Sequence, residues 1–171
     1  MTDAKPQIYE ARYVSFIDIL GFSEIVRNSV QSPTQASELA KALDQINSNI
    51  SFLSLKGLTS DDFRAQSFSD CILLSEAPTP KGLQFLLTTI CFLTNSLLSI
   101  GILTRGGLSK GLLHHSDKAV FGPAFLSAYE MENQTAIFPR IIVDRETLKD
   151  YSALDDIGDA FIVHGNCAYP R

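Results

Sequence analysis

Tyr13-Val14-Ser15-Phe16-Ile17-Asp18-Ile19-Leu20-Gly21-Phe22 decides how the rest of this chain is read. Tyr13 to Ile19 is short, apolar and rich in β formers, the pattern of a buried central strand. Asp18 sits next to its end, and Gly21-Phe22 then turn the chain.

Outward from that strand, Ser32-Pro33-Thr34-Gln35 is a helix start. Ser32 can cap, Pro33 suits the first helical position, and Gln35 completes a capping box. Ala36, Leu39, Ala40, Leu43, Ile46, Ile50 and Leu53 follow on one helical face, and Gly57 ends the element. Phe63 to Phe68 alternates as a strand, Ser69-Asp70 makes a tight turn, and Cys71 to Ser75 returns as an apolar strand. Thr79-Pro80 starts a long apolar helix. Ile102 to Leu113 is a strand region broken by Gly106, Gly107 and Gly111. Gly122-Pro123 opens a helix through about Asn133. Ile141-Ile142-Val143 and Phe161-Ile162-Val163 are short strands around a small helix near Arg145 to Tyr151. The first six elements read βαββαβ, so the expected class is α+β: a ferredoxin-like sandwich with C-terminal additions. The 171 residues form one domain, 1–171, with its core at about 13–163.

The net charge of −5 removes the electrostatic footprint of a non-specific nucleic-acid binder. An anionic substrate would need local cations. Cys71, Cys91 and Cys167 are odd in number and far apart, with neither metal-ligand spacing nor a disulfide framework. Free thiols of this kind suit a reducing cytoplasm, and Met1 to Pro6 carries no apolar signal region. Leu83 to Ile102 is long enough for a membrane span. Gln84, Thr88, Thr89, Thr94, Asn95, Ser96 and Ser99 interrupt it, so a core or dimer helix is expected instead of membrane insertion.

In a βαββαβ sheet the first and third strands are antiparallel neighbours at the centre. The end of one meets the start of the other, which brings Asp18 towards Asp70. Two carboxylates without a sequence-adjacent cation repel unless one is protonated or a metal lies between them. A Mg²⁺ or Mn²⁺ site completed by triphosphate oxygens resolves this. Spacing alone also permits a turn Asp70 and a capping Asp18. The fourth strand starts at the same edge, where Arg105-Gly106-Gly107 offers a guanidinium to phosphate or to a structural carboxylate. His114 and His115, being adjacent in a strand, point to opposite faces and do not chelate one ion.

Taken together these pieces resemble a class III nucleotidyl cyclase domain. Phe16-Ile17-Asp18-Ile19-Leu20-Gly21-Phe22 is similar to that family's first metal strand and Phe68-Ser69-Asp70 to its second. Thr104-Arg105-Gly106-Gly107-Leu108-Ser109-Lys110-Gly111 resembles its later strand, and Val120-Phe121-Gly122 its substrate-binding segment. More narrowly, Arg105-Gly106-Gly107, Gly122-Pro123-Ala124, Ala128-Tyr129-Glu130-Met131-Glu132 and Pro139-Arg140-Ile141 resemble the bacterial pyrimidine cyclases of Pycsar antiphage defence.

The resemblance implies a homodimer with sites at its interface, making cyclic UMP from UTP or cyclic CMP from CTP, with pyrophosphate released. The product would switch on a separate effector protein. It also implies two Mg²⁺ or Mn²⁺ ions held by Asp18, Asp70 and the carbonyl of Ile19. Arg105 would contact phosphate, with Lys110 behind it. Arg64 and Gln66 share one strand face and would read the base, and Tyr129 would stack on base or ribose. The family's purine-reading Lys falls on Gln66 and its Asp near Ala119. Its transition-state Asn and Arg fall near Leu126 and Glu130. The alternatives are a purine cyclase with unusual base recognition, and an inactive cyclase-like module that binds nucleotide or only dimerises.

Overall fold

β1, Glu10–Ile19, runs antiparallel to a strand on each side, in register over most of its length. The computed structural model describes residues 8–55, 62–153, 161–164 and 167–170. β1 is followed by α1 (Phe22–Ser29), α2 (Pro33–Leu55), β2 (Arg64–Phe68), β3 (Cys71–Glu76) and α3 (Pro80–Ser99). Then come β4 (Thr104–His115), β5 (Val120–Phe121) and α4 (Pro123–Glu130), which runs on as a π-helical turn, Met131–Thr135. β6 (Ile141–Val143), α5 (Arg145–Ser152), β7 (Phe161–His164) and β8 (Cys167–Pro170) complete the described order. The sheet order is β2-β3-β1-β4-β6-β8-β7, with β5 paired to the end of β4. β2, β3, β1 and β4 form the antiparallel centre that a βαββαβ unit requires, and β6 joins β4 in parallel.

β1 reads as a continuous apolar run because both its faces are covered. Side chains alternate across a strand. Tyr13, Ile17 and Ile19 point into a core made with Ile46 of α2 and Leu83, Leu86, Ile90, Leu93 and Leu97 of α3. Val14 and Phe16 point the other way, with Leu73 and Leu113, against Ala124 and Ala128 of α4. Each fully buried Leu or Ile contributes roughly 1.5–3 kcal/mol. α3 is long and apolar enough to cross a membrane by length and composition. Its stripe of Leu83, Leu86, Ile90, Leu93 and Leu97 is buried in the core beneath the sheet. Thr79 caps it as the sequence indicates, its Oγ1 accepting from the Gly82 N–H at 3.0 Å.

Three differences from the sequence reading have physical causes. α1 was expected only as a turn. It is only eight residues long, with Phe22 and Ile25 packed partly buried against the core, and Gly21 at φ 74° starts it. β4 is unbroken by its glycines, which instead allow close approach. A Cβ on Gly107 would run into the backbone carbonyl of Ala128, so only glycine lets α4 lie this near the strand. The helix expected to reach Asn133 changes at Met131 to the wider π turn. β5 answers to an optional short strand expected before the Gly122-Pro123 helix, and β8 was not anticipated. Gly57, the expected end of α2, lies outside the described residues.

Candidate functional site

Asp18 is the register partner of Cys71 on β3 and of Arg105 on β4. Asp70 precedes Cys71 at the tip of the β2–β3 hairpin, and its carbonyl accepts the Ile19 N–H at 3.1 Å. Phe68 pairs with Cys71, so Ser69 and Asp70 alone make the turn. Ser69 takes φ 57°, in the left-handed region, a strain of about 1 kcal/mol at the residue that aims Asp70. Asp18, Asp70 and Cys71 each offer a ligand atom, and these atoms lie within 4.8 Å of one another. The two carboxylates expected to converge therefore do.

A third carboxylate joins them. Glu132, on the π turn, is 3% exposed and places Oε1 2.5 Å from Arg105 Nε. The same Nε lies 3.5 Å from Asp18 Oδ2. Burial and then Asp70 push the Asp18 pKa up, and Arg105 opposes them. Burial raises Glu132 likewise, again against Arg105. The Cys71 thiol is pushed up to about 12, by burial first and then by Asp70 and Asp18. With all three carboxylates ionised, one guanidinium leaves the cluster at two negative charges. Hard carboxylate oxygens with that excess fit Mg²⁺ or Mn²⁺, whereas the Cys71 sulfur is a softer donor that such ions do not prefer.

The other residues singled out in the sequence fall in different places. Arg105 is engaged by carboxylates. Arg64 and Gln66 share the face of Asp18, through register partners Ser75 and Leu73 on β3. Their donors reach the end of β4 and the residue after it: Arg64 donates to the His115 carbonyl, and Gln66 Nε2 to the Ser116 carbonyl at 2.8 Å. Tyr129 stands edge-on to Phe16 at 5.5 Å between ring centres and is 42% exposed, so it is both packed and reachable. Lys110 is not brought to the cluster. It pairs in register with Tyr13, on the opposite face, and its Nζ lies 2.7 Å from Asp150 Oδ2. A strand's two-residue period decides this, since Arg105 and Lys110 are an odd number of residues apart.

Sequence reasoning assigned no role to Glu132 or Cys71. Cys71 was findable as the neighbour of Asp70. Glu132 gave no signal of its own, because a Glu late in a helix normally faces water. His115 was set aside as a ligand, and it is a buried structural group. Its Nδ1 lies 2.7 Å from Ser75 Oγ, which also accepts from Arg12 Nε at 3.0 Å.

No protein-family model matches the chain, and no curated protein matches it. Solved structures do. The guanylate cyclase domain of RhGC from Catenaria anguillulae, in complex with GTP, is 15% identical over 95% of this chain and 96% of that one, with a TM-score of 0.65. The monomeric guanylyl cyclase domain of the RhoGC fusion protein from Blastocladiella emersonii is 16% identical over 95% of each chain, with a TM-score of 0.68. A bacterial light-regulated adenylyl cyclase is 15% identical over 94% of this chain and 50% of that one, with a TM-score of 0.64. At such identities the likeness speaks for the fold: the chain has the α+β fold of class III nucleotidyl cyclase catalytic domains. These neighbours are guanylyl and adenylyl cyclases by name.

Proposed function

We propose that this chain is a metal-dependent nucleotidyl cyclase, closing a nucleoside triphosphate to its 3′,5′-cyclic monophosphate and pyrophosphate. The observation that carries the reading is the meeting of Asp18 and Asp70 at one sheet edge, on the fold of guanylyl and adenylyl cyclases.

Asp18 and Asp70, with the carbonyl of Ile19, would hold two divalent cations. Bound there, such cations supply a lowered pKa at the ribose 3′-OH and charge compensation on the triphosphate. The chain's own part is mostly positioning. The strained Ser69 turn aims Asp70, and the β1–β3 register fixes Asp18 beside it. α1 begins directly after the β1 edge, and the first N–H groups of a helix have no intrahelical partner, so they suit a phosphate. Arg105 lies between Glu132 and Asp18, which makes it the counter-charge of the cluster in place of the phosphate contact expected from sequence. Tyr129 keeps an exposed edge on the same face for a base or ribose.

The names of the structural neighbours favour GTP or ATP as substrate. A second reading keeps UTP or CTP, with antiphage signalling through a separate effector. Gln66, standing where the resemblance puts the purine-reading Lys, favours it. Under either reading the active form is a homodimer with sites at its interface. Incubation with each nucleoside triphosphate and Mn²⁺, followed by detection of cyclic product and pyrophosphate, separates these. Product from GTP or ATP alone supports the first, and from UTP or CTP alone the second. No product from a folded dimer with any triphosphate would sink the cyclase reading.

A further inference from the structure

Glu132 is a buried acid with one task on view. Gly107 lets α4 settle onto β4, and the π turn that follows carries Glu132 back over the start of the strand. There its side chain, 4% exposed, meets Arg105. Arg105 Nε carries a single hydrogen. At 2.5 Å Glu132 Oε1 is the nearer carboxylate contact of that nitrogen, and Asp18 Oδ2, at 3.5 Å, the farther one. The geometry points to Glu132 as a positioning residue that sets the divalent-cation affinity of the Asp18–Asp70 pair by competing with Asp18 for Arg105. This rests on the two-cation reading above.

The physical chain is short. A guanidinium hydrogen-bonded to Asp18 would occupy a carboxylate oxygen that a cation needs and would cancel half the charge that attracts it. Glu132 weakens both by competing for the guanidinium. It supplies the nearer, buried acceptor, and its charge makes the Arg105–Glu132 pair neutral as seen from Asp18 and Asp70. Without the Glu132 charge the only carboxylate within reach of Arg105 in this cluster, among the described residues, is the one proposed to bind metal.

The test is Mn²⁺ binding to the purified full chain without nucleotide, read from the loss of the free-ion EPR signal and checked for dependence on Asp18 with D18A. Glu132→Gln keeps the shape and removes the charge, and should weaken Mn²⁺ binding about tenfold. The double variant R105Q/E132Q removes both charges and should return to within about threefold of the parent, as a coupled pair does in a double-mutant cycle. E132Q binding Mn²⁺ as tightly as the parent, or a double variant as weak as E132Q, would overturn the inference while leaving the metal pair intact. A parent chain with no Asp18-dependent Mn²⁺ binding would overturn the two-cation reading and this inference together. Should E132Q not fold, Glu132→Asp, with its carboxylate withdrawn by one methylene, takes its place. It should weaken binding in the same direction by at least about threefold, and unchanged binding would count against the inference.

Discussion

Asp18 and Arg105 are register partners on β1 and β4, and their side chains meet at 3.5 Å on the face that carries Asp70. The acid therefore feels a like charge and an unlike one together, with burial added to the like charge. That balance leaves Asp18 poised for a cation, and the first prediction follows from it.

Asp18→Ala should lower cyclic nucleotide formation by at least about 10²–10³-fold, the scale of losing one preorganised electrostatic group. The fold should hold, because the change also relieves repulsion of Asp70. Circular dichroism and thermal melting check the second part. Undiminished turnover would mean the metal pair is misassigned.

Lys110→Met should leave KM for the triphosphate and kcat unaltered. Lys110 lies on the opposite face, paired with Asp150, which also accepts the Tyr13 hydroxyl at 2.7 Å. Loss of this partly exposed pair should cost at most about 1 kcal/mol in a denaturant titration. A raised KM would restore Lys110 to the site.

Gly107→Ala should destabilise the fold by about 1–3 kcal/mol, the usual range for overpacking. The added methyl would press on the Ala128 carbonyl and lie 3.0 Å from Met131 Cβ. Relief by lifting α4 would carry Glu132 off Arg105, so Mn²⁺ binding should weaken along with the melting temperature. A variant as stable as the parent would show that α4 is not held this closely.

His115 should make stability depend on acid. Burial, then Arg12 and Arg64, push its pKa down from 6.5 to about 4. Between those values the unfolded chain binds the proton and the folded one does not. The contribution is therefore complete above about pH 6.5 and lost as pH falls towards 4, amounting to about 3 kcal/mol. Urea denaturation at steps through this range should show the decline, and His115→Gln should flatten it. An unchanged slope in His115→Gln would assign the pH dependence to other groups.

Much of the fold was legible because its signals are local. The caps at Ser32-Pro33 and Thr79-Pro80, the two-residue turn at Ser69-Asp70 and the apolar run ending at Asp18 each state a boundary through short-range chemistry. Ser32 Oγ accepts from the Gln35 N–H at 3.4 Å, as the capping motif implies. α1 escaped because its eight residues make barely two turns, although Phe22 and Ile25 turn one face to the core. The glycines of β4 misled because the same residue marks a break in one context and close packing in another. Here α4, distant in sequence, makes it packing.

The sequence by itself determined the four central strands, β1 to β4, and the convergence of Asp18 with Asp70, because hydrophobic periodicity and antiparallel register leave a central strand few alternatives. Only the tertiary structure decided what Arg105 does. Its charge is shared between Asp18, its neighbour across the sheet, and Glu132, which arrives on a π turn carried by α4. Strand register is written in residues next to one another. The partner of a buried charge is chosen by packing between elements far apart in the chain.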